Sequence, residues 1–256
     1  MNRILVIARN TFREAVRDRV LYNLVLFVLM ITASAVFLGE LTAGQEARTI
    51  VNLGLTAMLV FGAFISIFVG VSLVNKEIEK RTVFAIFSKP VGRGEFIVGK
   101  YLGLCLTLLV NVLLMGVGVS LALLYVGGGN LAFSIWAAIF LIFLELTILT
   151  AIATLFSSFS SPALSALLTF FIFIIGHSSA SLRDFAQNLG SQSAKLFFDA
   201  VYYLLPNLSF FTFRTNAAHG DTPPAAMLGG AVLYALVYIC ITLAATVLIF
   251  SRRNFK

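Results

Sequence analysis

The stretch that decides the fold is Asn75 to Lys100, NKEIEKRTVFAIFSKPVGRGEFIVGK. It is a long charged island between two apolar segments. Six of the chain's 18 Lys and Arg residues lie in it (Lys76, Lys80, Arg81, Lys89, Arg93 and Lys100), with three of its 11 acids (Glu77, Glu79 and Glu95). Ile78, Val83, Phe84, Ile86, Phe87, Phe96 and Ile97 give it an apolar stripe of its own. A polar segment with such a stripe, tethered at both ends to apolar helices, suits a water–lipid boundary and contact with a partner.

On either side of the island the chain is too apolar for a soluble domain. Of its 256 residues, 60% are hydrophobic and 11% charged, with a mean hydropathy of +1.00; soluble domains are about a quarter charged. The class is an all-α integral membrane protein, a single domain over 1–256. Strands of alternating polarity are missing, which argues against an outer-membrane barrel. Apolar runs predict six spans, at about 20–39, 50–74, 101–125, 133–156, 163–180 and 226–250. The second is rich in small residues, which let helices approach closely.

Residues 1–19 predict an amphipathic interfacial helix, with Ile4, Leu5, Ala8, Phe12, Ala15 and Val16 on one face and Arg3, Arg9, Arg13, Glu14 and Arg17 on the other. A cleaved signal peptide is the competing reading, since Ala33-Ser34-Ala35 resembles a cleavage site, but the charged region before the first span is long and contains acids. Gly127-Gly128-Gly129 predicts a tight exit loop, and Ser157 to Pro162 a short link. Residues 181–225 predict one or two short amphipathic helices at the outer interface. Leu196, Phe197, Val201, Leu204 and Leu205 lie on one side, Pro206 is the stop, and Tyr202, Tyr203 and Phe210 are aromatic anchors.

With six spans both termini lie on one side. That side carries 14 Lys and Arg and the other carries 4, which places the termini and the island in the cytoplasm. The net charge of +7 is therefore a topology signal and gives no reason to expect a nucleic-acid partner. Cys105 and Cys240 sit in apolar runs and read as packing residues.

His177 and His219 are the two histidines. No spacing suggests a metal cluster or a catalytic triad, and no phosphate loop occurs, so the chain is not expected to be an enzyme or to bind a cofactor or metal itself. Glu145 stands near the centre of the fourth span. An intramembrane carboxylate points to function or to an internal partner. Asn111, Thr107, Thr147 and Thr150 are its candidate polar neighbours, and no second ionisable group is expected at its depth. Glu145 and Asn111 are candidates for the translocation path; the alternative is a protonated Glu bonded to a neighbouring helix.

Within the island, Glu77 and Glu79 read as the first turn of a helix, where the dipole favours acids. Val83 to Phe87 forms an apolar knob. Pro90-Val91-Gly92-Arg93 breaks the chain, and a second helix starts near Glu95 and runs into the third span. Such a helix–break–helix hinge is a handle for a cytosolic motor.

The run Glu77-x-Glu79-x-x-Thr82, then Ser88-x-Pro90-Val91-x-Arg93, then Gly99-Lys100-Tyr101-Leu102-Gly103 resembles the cytoplasmic loop of ABC transporter permeases of the ABC-2 class. The nearer branch is similar to the nitrous-oxide-reductase maturation permeases, with Arg81 where many members carry Gly. The resemblance implies a permease subunit, an exporter of the prokaryotic inner membrane, working with a cytosolic ABC ATPase that binds ATP and Mg. It also implies a second permease copy or a sister permease, and a coupling helix between spans two and three. Glu77, Glu79, Lys80, Arg81, Thr82, Phe84, Phe87, Pro90 and Arg93 are then the ATPase-coupling residues. The alternatives are an anchoring or assembly factor without a transport cycle, and an intramembrane enzyme centred on Glu145 or His177.

Overall fold

A computed structural model describes residues 3–17, 26–27, 30–31, 34, 37, 45–79, 92–188, 195–196, 199–200, 202 and 205–252. Lys80, Arg81, Thr82, Phe84, Phe87 and Pro90 lie outside the described residues, as does most of the expected first span. So do Phe197, Val201, Tyr203 and Leu204 of the expected outer helices.

The described chain is helical throughout its regular structure. Helix α1 is Arg3–Arg17, α2 Glu46–Glu79, α3 Arg93–Tyr125, α4 Gly129–Ser157 and α5 Pro162–Asn188. A 3-10 turn at Leu208–Phe211, a short α6 at Arg214–Ala218 and the long α7 at Ala225–Arg252 complete it. Four helices among the described residues are long and apolar enough to cross a membrane, in α2, α3, α4 and α7, and Pro162–Ser178 is a shorter apolar helix.

Helix α4 is apolar on every face, the pattern of a helix enclosed by others. It is accordingly the central pillar, packed by α2, α3, α5, α6 and α7, with Leu141, Leu146, Ile148, Leu149, Ala151 and Ala153 sealed off. Helix α7 leaves Leu233, Leu236, Val237, Ile241 and Leu248 exposed on its outer face.

Both ends of α4 are set by local chemistry. At the end entered from α3, Gly127 takes φ +81°, the left-handed region that glycine tolerates. This lets the Gly128 N–H donate back to Leu123 O at 2.8 Å. At the other end the short Ser/Pro link forms as expected. The Ser160 and Ser165 hydroxyls pair at 2.6 Å, and Pro162 opens α5, a position where a missing N–H costs nothing.

Helix α1 packs along α3. Ala8, Thr11 and Ala15 are buried while Arg9, Arg13 and Glu14 are exposed, so the expected stripe forms with two changes. Leu5 is 60% exposed, and Thr11 takes an inward position that its polarity concealed. The close approach is made by Gly99 and Gly103, one turn apart on α3. A Cβ on Gly103 would lie 2.5 Å from Ala8 O, and one on Gly99 3.1 Å from Ile4 O.

Two expectations about element bounds are corrected. Glu77 and Glu79 do not open a new helix; they belong to α2, which runs unbroken from Glu46 to Glu79. As expected, a helix begins near Glu95, at Arg93, and it runs unbroken through the third span to Tyr125. The fifth-span helix continues to Asn188, since SLRDFAQN carries no breaker, so residues 181–188 are not a separate outer helix. At about 1.5 Å per residue, the 34 residues of α2 and the 33 of α3 each measure about 50 Å. That is well beyond the ~30 Å of a hydrocarbon core.

The segment before α7 also differs from expectation. Leu208, Phe211, Ala217 and Ala218 are buried in the main core and do not lie at its edge. The Asn207 N–H donates to the Tyr234 hydroxyl at 2.9 Å, and Phe210 and Phe211 pack against Tyr234. Leu196 is exposed.

Candidate functional site

Two clusters carry the polar chemistry of the bundle. The first is at the end of the bundle holding Gly92, where the island rejoins the helices. Gly92 precedes α3 in an extended conformation, and its N–H donates to Glu95 Oε2 at 3.1 Å. This ties the first turn of α3 with an acid where the helix dipole favours one.

Arg93, the first residue of α3, reaches across to the last turn of α7. Its Nη1 donates to Ser251 O at 2.6 Å and to Phe250 O at 3.2 Å. A cation at the last turn of a helix meets the negative end of its dipole. Phe96 stacks on Phe250 with ring centroids 6.3 Å apart, and both join Ile97 and Leu104 in a small separate core. The Lys100 ammonium lies 5.2 Å from the Phe96 ring centroid, a cation–π distance. On the outer side, Arg3 of α1 approaches Glu95 at 3.9 Å in a pair too exposed to add much stability. The start of α3 is thus tied to both α1 and α7.

Of the island residues, Arg93 is placed by these contacts, and Glu77 and Glu79 by the backbone of α2. The sequence marked Arg93 as charged and next to a break. Its partner could not be read, because the contact joins residues 158 positions apart.

The second cluster lies within the bundle. Glu145 on α4 is 1% exposed, and its Oε1 is 3.3 Å from His177 Nε2 on α5. The approach is off the line of a well-aligned hydrogen bond, and neither atom has another hydrogen-bond partner among the described residues. The expectation that Glu145 has no ionisable group at its depth is therefore corrected. The signal was present in the spacing: Glu145 lies 12 residues before the end of α4 and His177 lies 15 after the start of α5. Two antiparallel helices joined by a short link place such positions within a turn of each other.

The neighbours expected for Glu145 direct their donors elsewhere. Thr107 donates to Gly103 O at 3.0 Å, Asn111 Nδ2 to Thr107 O at 2.7 Å, Thr147 to Leu144 O at 2.6 Å and Thr150 to Leu146 O at 2.8 Å. All four bonds stay within their own helices. Asn111 is buried, and its Oδ1 has no partner among the described residues. Arg214 at the start of α6 donates to Thr56 Oγ1 of α2 at 3.4 Å. Cys105 and Cys240 are free thiols. Among the described residues no group of three His, Cys, Asp or Glu side chains could hold a metal ion.

A curated relative, the probable ABC transporter permease protein NosY of Stutzerimonas stutzeri, is 26% identical over 142 residues. The match covers 54% of this chain and 51% of that protein, so about half of each is compared. The family model described as "ABC-2 family transporter protein" matches residues 5–255, from α1 through to the tail beyond α7. The chain belongs to the ABC-2 family, as a multi-pass membrane permease domain.

Proposed function

We propose that this chain is the membrane-spanning subunit of an ATP-driven ABC exporter, paired with a second permease copy or a sister permease and driven by a separate cytosolic ATPase. The observation that carries the reading is the family match across residues 5–255. The likeness to NosY supports placing it near that branch of permeases.

The mechanism rests on the island. Residues 80–91 join the ends of α2 and α3, two helices each about 50 Å long. Phe84 and Phe87 enter a groove on the ATPase, flanked by Lys80, Arg81 and Thr82, and Pro90 lets the knob tilt. A displacement of the knob passes into α2 through Glu77 and Glu79 and into α3 through Gly92 and Arg93. Because Arg93 holds the last turn of α7, α7 moves with α3. The 14 to 4 distribution of Lys and Arg supports a cytoplasmic island and cytoplasmic termini, in a prokaryotic inner membrane. ATP closure of the ATPase does work only through contacts that differ between its two states.

The test is purification of the full chain from its native membrane, followed by nucleotide hydrolysis in liposomes. A P-loop ATPase co-purifies, and Phe84→Asp reduces its retention without reducing membrane insertion. Purification without any ATPase, with full assembly of some other complex, would support an anchoring role instead.

A further inference from the structure

The contact between Glu145 and His177 has a proton requirement that follows from hydrogen-bond chemistry alone. His177 Nδ1 faces Phe173 O at 3.2 Å. A carbonyl oxygen only accepts, so Nδ1 carries a hydrogen, and in the neutral ring Nε2 is then a bare lone pair. That bare nitrogen lies 3.3 Å from Glu145 Oε1, off the line of a hydrogen bond, and neither atom has a hydrogen-bond partner among the described residues. An ionised carboxylate there would set two acceptors against each other in a place sealed from water, since Glu145 is 1% exposed. One further proton, on either Oε1 or Nε2, turns the clash into an attraction.

We propose that Glu145 and His177 form a proton-binding site joining α4 to α5: closing α5 onto α4 takes up one proton from water, and parting them returns it. The ligand is the proton itself. The site belongs to this chain alone and stands whether or not an ATPase docks on the island.

The surrounding groups leave the proton to this pair. Helix α2 has no ionisable side chain between Arg48 and Ser72. On α3, Tyr101 donates its hydroxyl to Thr147 O at 3.1 Å, and Cys105 is a free thiol. Tyr234 and Tyr238 of α7 stack on each other. Arg214 of α6 donates to Thr56 Oγ1 of α2 at 3.4 Å. By linkage, the closed α4–α5 arrangement gains population as pH falls and loses it as pH rises.

The experiment uses the full chain in liposomes, with Cys105→Ser and Cys240→Ser and spin labels on Phe140→Cys and Ile174→Cys, both exposed. The label separation is followed against pH. It changes in a single one-proton step in the otherwise unaltered chain. Glu145→Gln supplies a permanent N–H donor to Nε2, so the step is lost and the closed separation holds at every pH. His177→Phe also loses the step. A separation independent of pH in the unaltered chain, or a step that survives Glu145→Gln, would overturn the proposal. Infrared difference spectra provide a second readout: the titrating band, carboxyl C=O for a proton on Oε1 or imidazolium for one on Nε2, must vanish in Glu145→Gln.

Discussion

Arg93 Nη1 lies 2.6 Å from Ser251 O, so the first residue of α3 holds the last turn of α7. The island's exit and the end of the final helix are therefore one mechanical unit, although 158 positions separate them. Arg93→Ala should weaken that unit by about 1.5–3 kcal/mol, the usual range for hydrogen bonds to a charged group. The check is unfolding of the purified protein in detergent, combined with protease cleavage at Arg252, which should quicken. Arg93→Lys keeps a charge but loses the planar fork, and should fall between the two.

Gly103 lies against α1, where a Cβ would fall 2.5 Å from Ala8 O. The atom it would meet is backbone, which cannot rotate aside. Gly103→Leu should displace α1 and cost about 1–3 kcal/mol by overpacking. Trypsin access to the exposed Arg9 and Arg13 should rise, with the rest of the bundle intact. Gly229 has nothing within 4 Å of a built Cβ, so Gly229→Ala should be near neutral and serves as the control.

Glu145 and His177 should be energetically coupled. Interhelical polar pairs in membranes are worth about 0.6–2 kcal/mol. A double-mutant cycle with Glu145→Leu and His177→Phe should return a coupling in that range, with each single change costing more than the double. Replacing both partners leaves no buried polar atom without its mate. An additive cycle would mean that the two side chains are neighbours without interaction.

The sequence revealed the parts of this fold that depend on local pattern. The α1 stripe, the Gly127 exit, the Ser/Pro link and the extended Gly92 before α3 are all set by residues within a turn or two of one another. Three features were not legible in this way. The continuation of α2 through Glu79 is hidden because charge suggests a boundary, whereas a helix leaving a membrane continues until something breaks it. The burial of Leu208 and Phe211 was hidden because their segment is polar on average, and burial there depends on Gly176 of α5 letting the backbone near Pro206 approach. The Glu145–His177 contact is concealed in each span taken alone and emerges only when both residues are counted from their shared link.

The central claim is that the knob at Phe84 and Phe87 is gripped by an ATPase. The most direct measurement places a photoreactive thiol probe on Phe87→Cys, with Cys105→Ser and Cys240→Ser, in native membranes. The account predicts a crosslink to a P-loop ATPase whose yield changes when ATP is added, and labelling of position 87 by membrane-impermeant reagents only from the cytoplasmic side. Labelling from the opposite side, or an ATPase that crosslinks elsewhere on the chain while position 87 stays bare, would contradict it.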